Sequence, residues 1–230
     1  MVDSGSDEAL FASLRDRLFT AVAGDVLDRM GHRRQFLPQA IGPLRADMKI
    51  VGRAMTVLEA DVFDDVSVTG RGPLSGRPFG LMMEALDDLA PGEVYIATGS
   101  SLTYALWGEL MSTRAIHLKA AGAVLDGYVR DAAAIEALGF PTFCRGIYAQ
   151  DQGPRGKVVD YRTPIEIQGV RIHPGDLLFG DREGVLVIPA GAEREAVGRA
   201  LEKIATENQV AAAIRQGMSA KEAFETFGVL

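Results

Sequence analysis

Two short stretches combine residue types that do chemistry together. Gly108-Glu109-Leu110-Met111 reads as the start of a helix, and Asp126-Gly127-Tyr128-Val129-Arg130-Asp131 as the bend between a buried strand and the next helix. The first turn of a helix has backbone N–H groups without intrahelical acceptors, and its dipole favours negative charge, so it suits a carboxylate or phosphate. Glu109 sits at that same end, and its charge opposes an anion unless a cation stands between them. Arg130 offers a planar fork for a carboxylate or an enolate oxygen. Asp131 offers a hard oxygen ligand for Mg2+ or Mn2+. Each also has a plainer reading: Glu109 as a favourable first-turn acid, Asp131 as a helix N-cap, Arg130 as a surface ion-pair partner. The two stretches strengthen each other because both follow successive strands of an α/β pattern, where open sheets gather ligands, so they are expected to face one cleft. Two acids, one arginine and a set of open amides suit a divalent cation holding a small α-keto acid.

The elements that must position these residues follow from the apolar pattern. Strands are expected at Ile50–Val57, Val94–Gly99, Ala123–Gly127 and Pro141–Arg145, with helices at Phe79–Leu89, Gly108–Ala120 and Asp131–Leu138. Strand and helix in alternation imply parallel pairing with right-handed crossovers. Short strands separated by turns then follow at Val158–Tyr161, Ile165–Ile167, Val170–Ile172 and Val185–Ile188. Helices are expected at both ends: one after the cap Ser6, one over Val22–Met30 stopped by Gly31, one over Glu193–Arg215, and one over Ala220–Phe227 capped by Ser219. Asp61–Arg77 is polar and Gly-rich, a surface loop of the kind found beside binding clefts. No Pro/Ser-rich or like-charge block divides the chain, so residues 1–230 read as a single α/β domain, with a core over about 18–190 and C-terminal helices over about 193–227.

Composition removes several function classes. The 230 residues are 47 % hydrophobic and 24 % charged, ordinary for a globular chain. Lys and Arg number 24 against 31 Asp and Glu, a net charge of −7, which argues against nucleic-acid binding because that needs a basic surface. No apolar run approaches the roughly 20 residues that span a bilayer, and the acidic N-terminus lacks a signal-peptide pattern. The one cysteine, Cys144, excludes an internal disulfide and a Cys-based zinc cluster, and it reads as a packed small hydrophobe. A cytoplasmic setting is the expectation. His32, His117 and His173 match no zinc spacing, and no P-loop, G-x-G-x-x-G or G-x-S-x-G is present. Trp107 either walls the pocket or packs in the core.

At these residues the chain resembles the RraA-like family, which includes the class II pyruvate aldolases acting on 4-hydroxy-4-methyl-2-oxoglutarate and 4-carboxy-4-hydroxy-2-oxoadipate. The resemblance rests on Gly108-Glu109-Leu110-Met111 followed about twenty residues on by Arg130-Asp131. It runs more loosely from Thr20-Ala21-Val22-Ala23-Gly24-Asp25 to Gly180-Asp181-Arg182-Glu183-Gly184-Val185. It implies a swivelling β/β/α-type fold with flanking helices, assembled as a homotrimer or homohexamer with clefts between subunits. It implies further that Asp131 binds the metal directly, that Glu109 holds metal-bound waters, that Arg130 contacts the keto or enolate oxygen, and that the Leu110 and Met111 amides take the carboxylate. A Glu of a neighbouring subunit's C-terminal region completes the water shell, with Glu202 and Glu207 as candidates. The 61–80 stretch departs from the aldolase pattern, which bears on the substrate more than on its pyruvate end.

The reaction so implied is retro-aldol cleavage of a 4-hydroxy-2-oxo acid to pyruvate plus a carbonyl product, with Mg2+ or Mn2+ as cofactor and oxaloacetate decarboxylation as a companion activity. Two alternatives belong beside it: a non-catalytic regulator that binds a protein partner, and a metal-dependent lyase or hydratase on a sugar-derived acid.

Overall fold

The computed structural model describes residues 4–62 and 71–228. The N-terminal helices are α1 (Ser4–Arg17) and α2 (Thr20–Arg29). The central region runs β1 (Gly42–Pro43), β2 (Ile50–Asp61), α3 (Met82–Asp87), β3 (Glu93–Thr98), β4 (Ala105–Trp107), α4 (Glu109–His117), β5 (Gly122–Leu125), β6 (Tyr128–Val129), α5 (Ala132–Leu138), β7 (Thr142–Cys144) and β8 (Gly146–Ile147). It continues with β9 (Gly156–Tyr161), β10 (Ile165–Ile167), β11 (Val170–Ile172), β12 (Leu177–Asp181) and β13 (Gly184–Ile188), and the chain closes with α6 (Glu193–Arg215) and α7 (Ala220–Phe227). Two compact units emerge, Arg34–Ala190 and the two chain ends, Met1–Arg33 with Gly191–Leu230.

In Arg34–Ala190 the main sheet has the order β1-β7-β5-β3-β2-β12-β13, with β9 also on β2. Strands β2, β3, β5 and β7 pair in parallel, as the strand–helix alternation predicts. Alternation then sorts their side chains onto two faces. Met55, Val57, Tyr95, Ala97, Ala123 and Leu125 point to one, where Ala85 of α3, Ala115 of α4 and Ile135 of α5 cover them. Ile50, Ala54, Val94, Ile96 and Val124 point to the other, where the β10–β11 hairpin supplies Ile165, Ile167, Val170 and Ile172. The hairpin alternates buried and exposed, and its turn residues Gln168 and Gly169 both take positive φ, as a two-residue turn of this kind requires. The layers are thus hairpin, sheet and helices, the β/β/α order of a mixed α/β fold.

The structure shortens one helix and adds a sheet. The helix expected over 79–89 begins only at Met82, because Leu81 donates to Val158 O at 2.9 Å and Phe79 O accepts from Val158 N at 3.1 Å. Backbone that serves β9 is not available for helix. The added sheet, β4-β6-β8, is parallel and made of strands two or three residues long, too short to show a period. Of the expected loop over Asp61–Arg77, residues 63–70 lie outside the described residues. The segment from Gly76 to Gly80 borders a hollow of about 740 Å3 with Glu84, Asp87, Asp88 and Tyr161.

In the unit formed by the chain ends, α2 buries Val22, Ala23, Val26 and Leu27, and α6 buries Ala196, Val197, Ala200 and Val210. Lys203 of α6 reaches Asp25 of α2 at 2.6 Å and Glu207 one turn on at 2.8 Å. Ser219 caps α7 as expected, accepting from Glu222 N at 3.2 Å.

Candidate active site

The small sheet is what brings the two stretches together. Strand β4 leads into α4 through Gly108, and β6 leads into α5 through Arg130 and Asp131. The strands are parallel neighbours, locked where Arg130 N donates to Trp107 O at 2.9 Å. Both helix starts therefore leave adjacent strands at the same end, the arrangement in which α/β sheets collect ligands. The chain reaches β6 by leaving β5 at Asp126, whose carboxylate accepts from Thr98 Oγ1 at 2.8 Å and from Arg145 Nε at 2.6 Å. Asp126 thus anchors the bend.

Asp131 occupies the N-cap position of α5, yet its side chain makes no capping bond. Its backbone is left-handed, φ 57° and ψ 33°, a conformation that costs a residue with a Cβ and is tolerated where surrounding structure imposes it. The carboxylate turns instead to the neighbouring helix, with Oδ2 accepting from Glu109 N at 3.3 Å. Gly108 makes room for this: a Cβ there would fall 2.7 Å from Asp131 Oδ2. The plain N-cap reading of Asp131 therefore fails on geometry.

Arg130 lies beside it, Nε 3.8 Å from Asp131 Oδ2, while Nη1 pairs with Asp151 Oδ1 at 2.7 Å. Both Arg130 and Asp131 keep over two-fifths of their side-chain surface exposed, at 42 % and 46 %. Glu109 is exposed at the first position of α4, followed by Leu110, 81 % exposed, and half-buried Met111. Amides of that first turn have no intrahelical acceptor. Asp151 is the member that sequence reading missed. It comes from the Gln150–Gly156 turn, which only the tertiary fold carries to Arg130.

Trp107 is core, not wall. It is buried, tilted against Tyr95 at 4.9 Å and stacked on Phe140 at 6.0 Å. Its Nε1 donates to Ser112 Oγ at 2.7 Å, and that hydroxyl donates to Gly108 O at 3.1 Å. The start of α4 is thereby pinned to the core. Cys144 is buried, and burial pushes its thiol up from its ordinary range. His117 is exposed at the end of α4. Glu207 is held by Lys203 and Glu202 is exposed, both in the unit of the chain ends.

Among the described residues no three His, Cys, Asp or Glu side chains gather around one point. A closed transition-metal cage is thus absent from them. The arrangement fits a cation that keeps most of its waters, since Mg2+ is commonly held by one or two carboxylates plus water and ligand oxygens. Asp131 supplies an exposed carboxylate in a cradle that a Cβ at Gly108 would fill, and Glu109 stands one residue from that cradle.

Comparison with known proteins adds a family. Residues 20–187 match the RraA-like family model, described as Aldolase/RraA. The chain is 32 % identical over 206 residues to a protein of Halalkalibacterium halodurans named "Putative 4-hydroxy-4-methyl-2-oxoglutarate aldolase", covering 89 % of each. It is 30 % identical over 209 residues to Protein DlpA of Legionella pneumophila, covering 90 % of this chain and 32 % of DlpA, so it spans about a third of that protein's length. Among solved structures, RraAS2 of Streptomyces coelicolor, described as an unusual member of the RNase ES inhibitor RraA protein family, matches with a TM-score of 0.73 at 25 % identity, over 87 % of this chain and 94 % of that one. With a family model spanning most of its length and the same layered fold, the chain belongs to the RraA-like family.

Proposed function

We propose that this protein is a lyase of the pyruvate-aldolase type, cleaving a 4-hydroxy-2-oxo acid to pyruvate and a carbonyl product. The observation that carries the reading is the Asp131 carboxylate turned away from its own helix, toward the start of α4 and beside the Arg130 guanidinium. Family membership and the aldolase name of the Halalkalibacterium relative support it.

Asp131 would hold a divalent cation directly and Glu109 would hold it through water; when bound, that ion supplies Lewis-acid polarisation of the 2-oxo group. The Leu110 and Met111 amides orient the substrate carboxylate at the positive end of α4. Glu109 takes up the C4 hydroxyl proton through an intervening water. As that proton leaves, the C4–O bond becomes a carbonyl, the C3–C4 bond breaks, and its electron pair passes to C3 and the 2-oxo oxygen as an enolate. Arg130 faces that oxygen and stabilises the charge that develops there. Preorganised donors of this sort are worth about 3–4 kcal/mol each. The proton held by Glu109 then returns through the water to C3, which gives pyruvate and restores the carboxylate. Loss of CO2 from oxaloacetate produces the same enolate, so it is the companion reaction.

The test is a coupled pyruvate assay with 4-hydroxy-4-methyl-2-oxoglutarate and with oxaloacetate, with Mg2+ and after chelation. Mg2+-dependent pyruvate release is the expected result. The likeness to RraAS2 favours a second reading, a regulator that binds a protein partner. A protein that releases no pyruvate from either compound, with or without Mg2+ or Mn2+, would replace the first reading with the second.

A further inference from the structure

One buried ionisable group has no part in the chemistry above. Glu59, on β2, is only 2 % exposed, on the helix-covered side of the sheet with Val57. Its Oε2 accepts from Gln152 Nε2 at 2.8 Å, while Oε1, the Tyr95 hydroxyl and the Ser100 hydroxyl find no partner among the described residues. The turn after β3 packs against the Glu59 backbone: Gly99 has φ 106°, and a Cβ there would fall 2.2 Å from the Glu59 main-chain O. Burial, and then the charge of Asp61, push the Glu59 carboxyl up to about 8. That shift favours the neutral acid near pH 7.

Gln152 bonds it directly, and the ionisable groups close enough to feel its charge are Asp61 on the same strand, Tyr95 on β3 and Tyr104 ahead of β4. Tyr104 donates to Asp61 Oδ1 at 2.8 Å. Lys157 of β9 pairs with Ala60 and so points to the opposite face of the sheet from Glu59. Among the described residues no cation offsets the upward push on the carboxyl.

Gln152 is the link to the site. It is buried, and its backbone O accepts from Arg155 N at 2.7 Å and Gly156 N at 3.0 Å, which closes the turn. The residue before it, Asp151, divides its carboxylate between Gly153 N at 2.9 Å and Arg130 Nη1 at 2.7 Å. We propose that Glu59 is a positioning residue for Arg130: its buried carboxyl group holds Gln152, and Gln152 fixes the turn from which Asp151 grips the guanidinium. The proposal rests on Arg130 serving the enolate oxygen. Ionisation of Glu59 places a second negative charge near Asp61 away from water; hydration relieves it and opens the turn.

The experiment compares wild type, Glu59→Gln and Glu59→Ala. In wild type kcat for pyruvate release falls as pH rises through about 8. Glu59→Gln, which keeps an uncharged acceptor for Gln152, retains kcat at neutral pH and loses that alkaline limb. Glu59→Ala lowers kcat at neutral pH by roughly ten- to a hundredfold with KM little changed, the scale expected for a misplaced catalytic group. Amide hydrogen exchange over residues 150–156, at one pH, is slow in wild type and Glu59→Gln and faster in Glu59→Ala. An unchanged alkaline limb in Glu59→Gln, or wild-type exchange in Glu59→Ala, overturns the proposal. If Glu59→Ala does not fold, the Glu59→Gln profile decides. If wild type releases no pyruvate, the aldolase reading fails, and the exchange comparison still decides whether Glu59 holds the turn.

Discussion

Asp131 and Arg130 are adjacent in sequence, yet they face different partners, Glu109 N and Asp151, and that division is what makes them a candidate site. Asp131→Asn keeps the shape but removes the negative charge and replaces one carboxylate oxygen with an NH2 group, leaving one neutral oxygen. It is expected to abolish Mg2+-dependent pyruvate release while leaving the circular dichroism spectrum and melting temperature close to wild type; retained activity would place the cation elsewhere. Arg130→Ala is expected to lower kcat by roughly a hundredfold or more, the cost of removing one preorganised donor. A raised KM with normal kcat would reduce Arg130 to a binding group. Glu59 gives a stability prediction with a definite sign. Its folded-state value, about 8, lies above the ordinary 4.5, so the folded state holds the proton more tightly. The stability this contributes is full below about 4.5 and is lost as pH rises toward 8, at up to about 1.4 kcal/mol per pH unit. Glu59→Gln lacks that loss. Its stability relative to wild type in urea titrations should therefore climb across that window and level off above it. A difference that does not vary with pH would mean Glu59 is already charged when folded. Of these residues, type and spacing singled out Arg130, Asp131 and Glu109 as candidates, beside plainer readings as ion-pair partner, N-cap and first-turn acid. Glu59 and Asp151 were not singled out, since a single acid in a strand or a polar turn carries no sign of what the fold brings to it.

At the scale of elements, the site depends on two helices starting from neighbouring parallel strands. Gly108 is the hinge of that geometry. Gly108→Ala is expected to push the Asp131 carboxylate off Glu109 N and cut activity at least tenfold. Stability should change by no more than about 1 kcal/mol, because the backbone there is extended and accepts Ala. An active Gly108→Ala enzyme would show that the Asp131–Glu109 approach is incidental. The strands of the main sheet were readable because Val94-Tyr95-Ile96-Ala97 and Ala123-Val124-Leu125 are buried on both faces and form continuous apolar runs. The strands β4, β6 and β8 were not, because two or three residues cannot display a period, and their pairing is decided by which loops the main sheet places side by side. The start of α3 was misplaced for a related reason: Phe79 and Leu81 spend their backbone groups on β9.

At the scale of the whole molecule, the family resemblance implies a homotrimer or homohexamer whose neighbouring subunit lends a glutamate. Glu207 is occupied by Lys203, whereas Glu202 is exposed. We expect sedimentation velocity to give a trimer or a hexamer; a monomer at assay concentration would remove the neighbour's glutamate from the account. The acidity of the chain, −7 overall, is compatible with concentrating a dication. The most direct test of the central claim is binding without turnover. Mn2+ binding followed by electron paramagnetic resonance, with and without pyruvate, should show wild type taking up Mn2+ and pyruvate strengthening that uptake. Asp131→Asn should lose both effects and Arg130→Ala only the second. Equal Mn2+ affinity in wild type and Asp131→Asn would contradict the account.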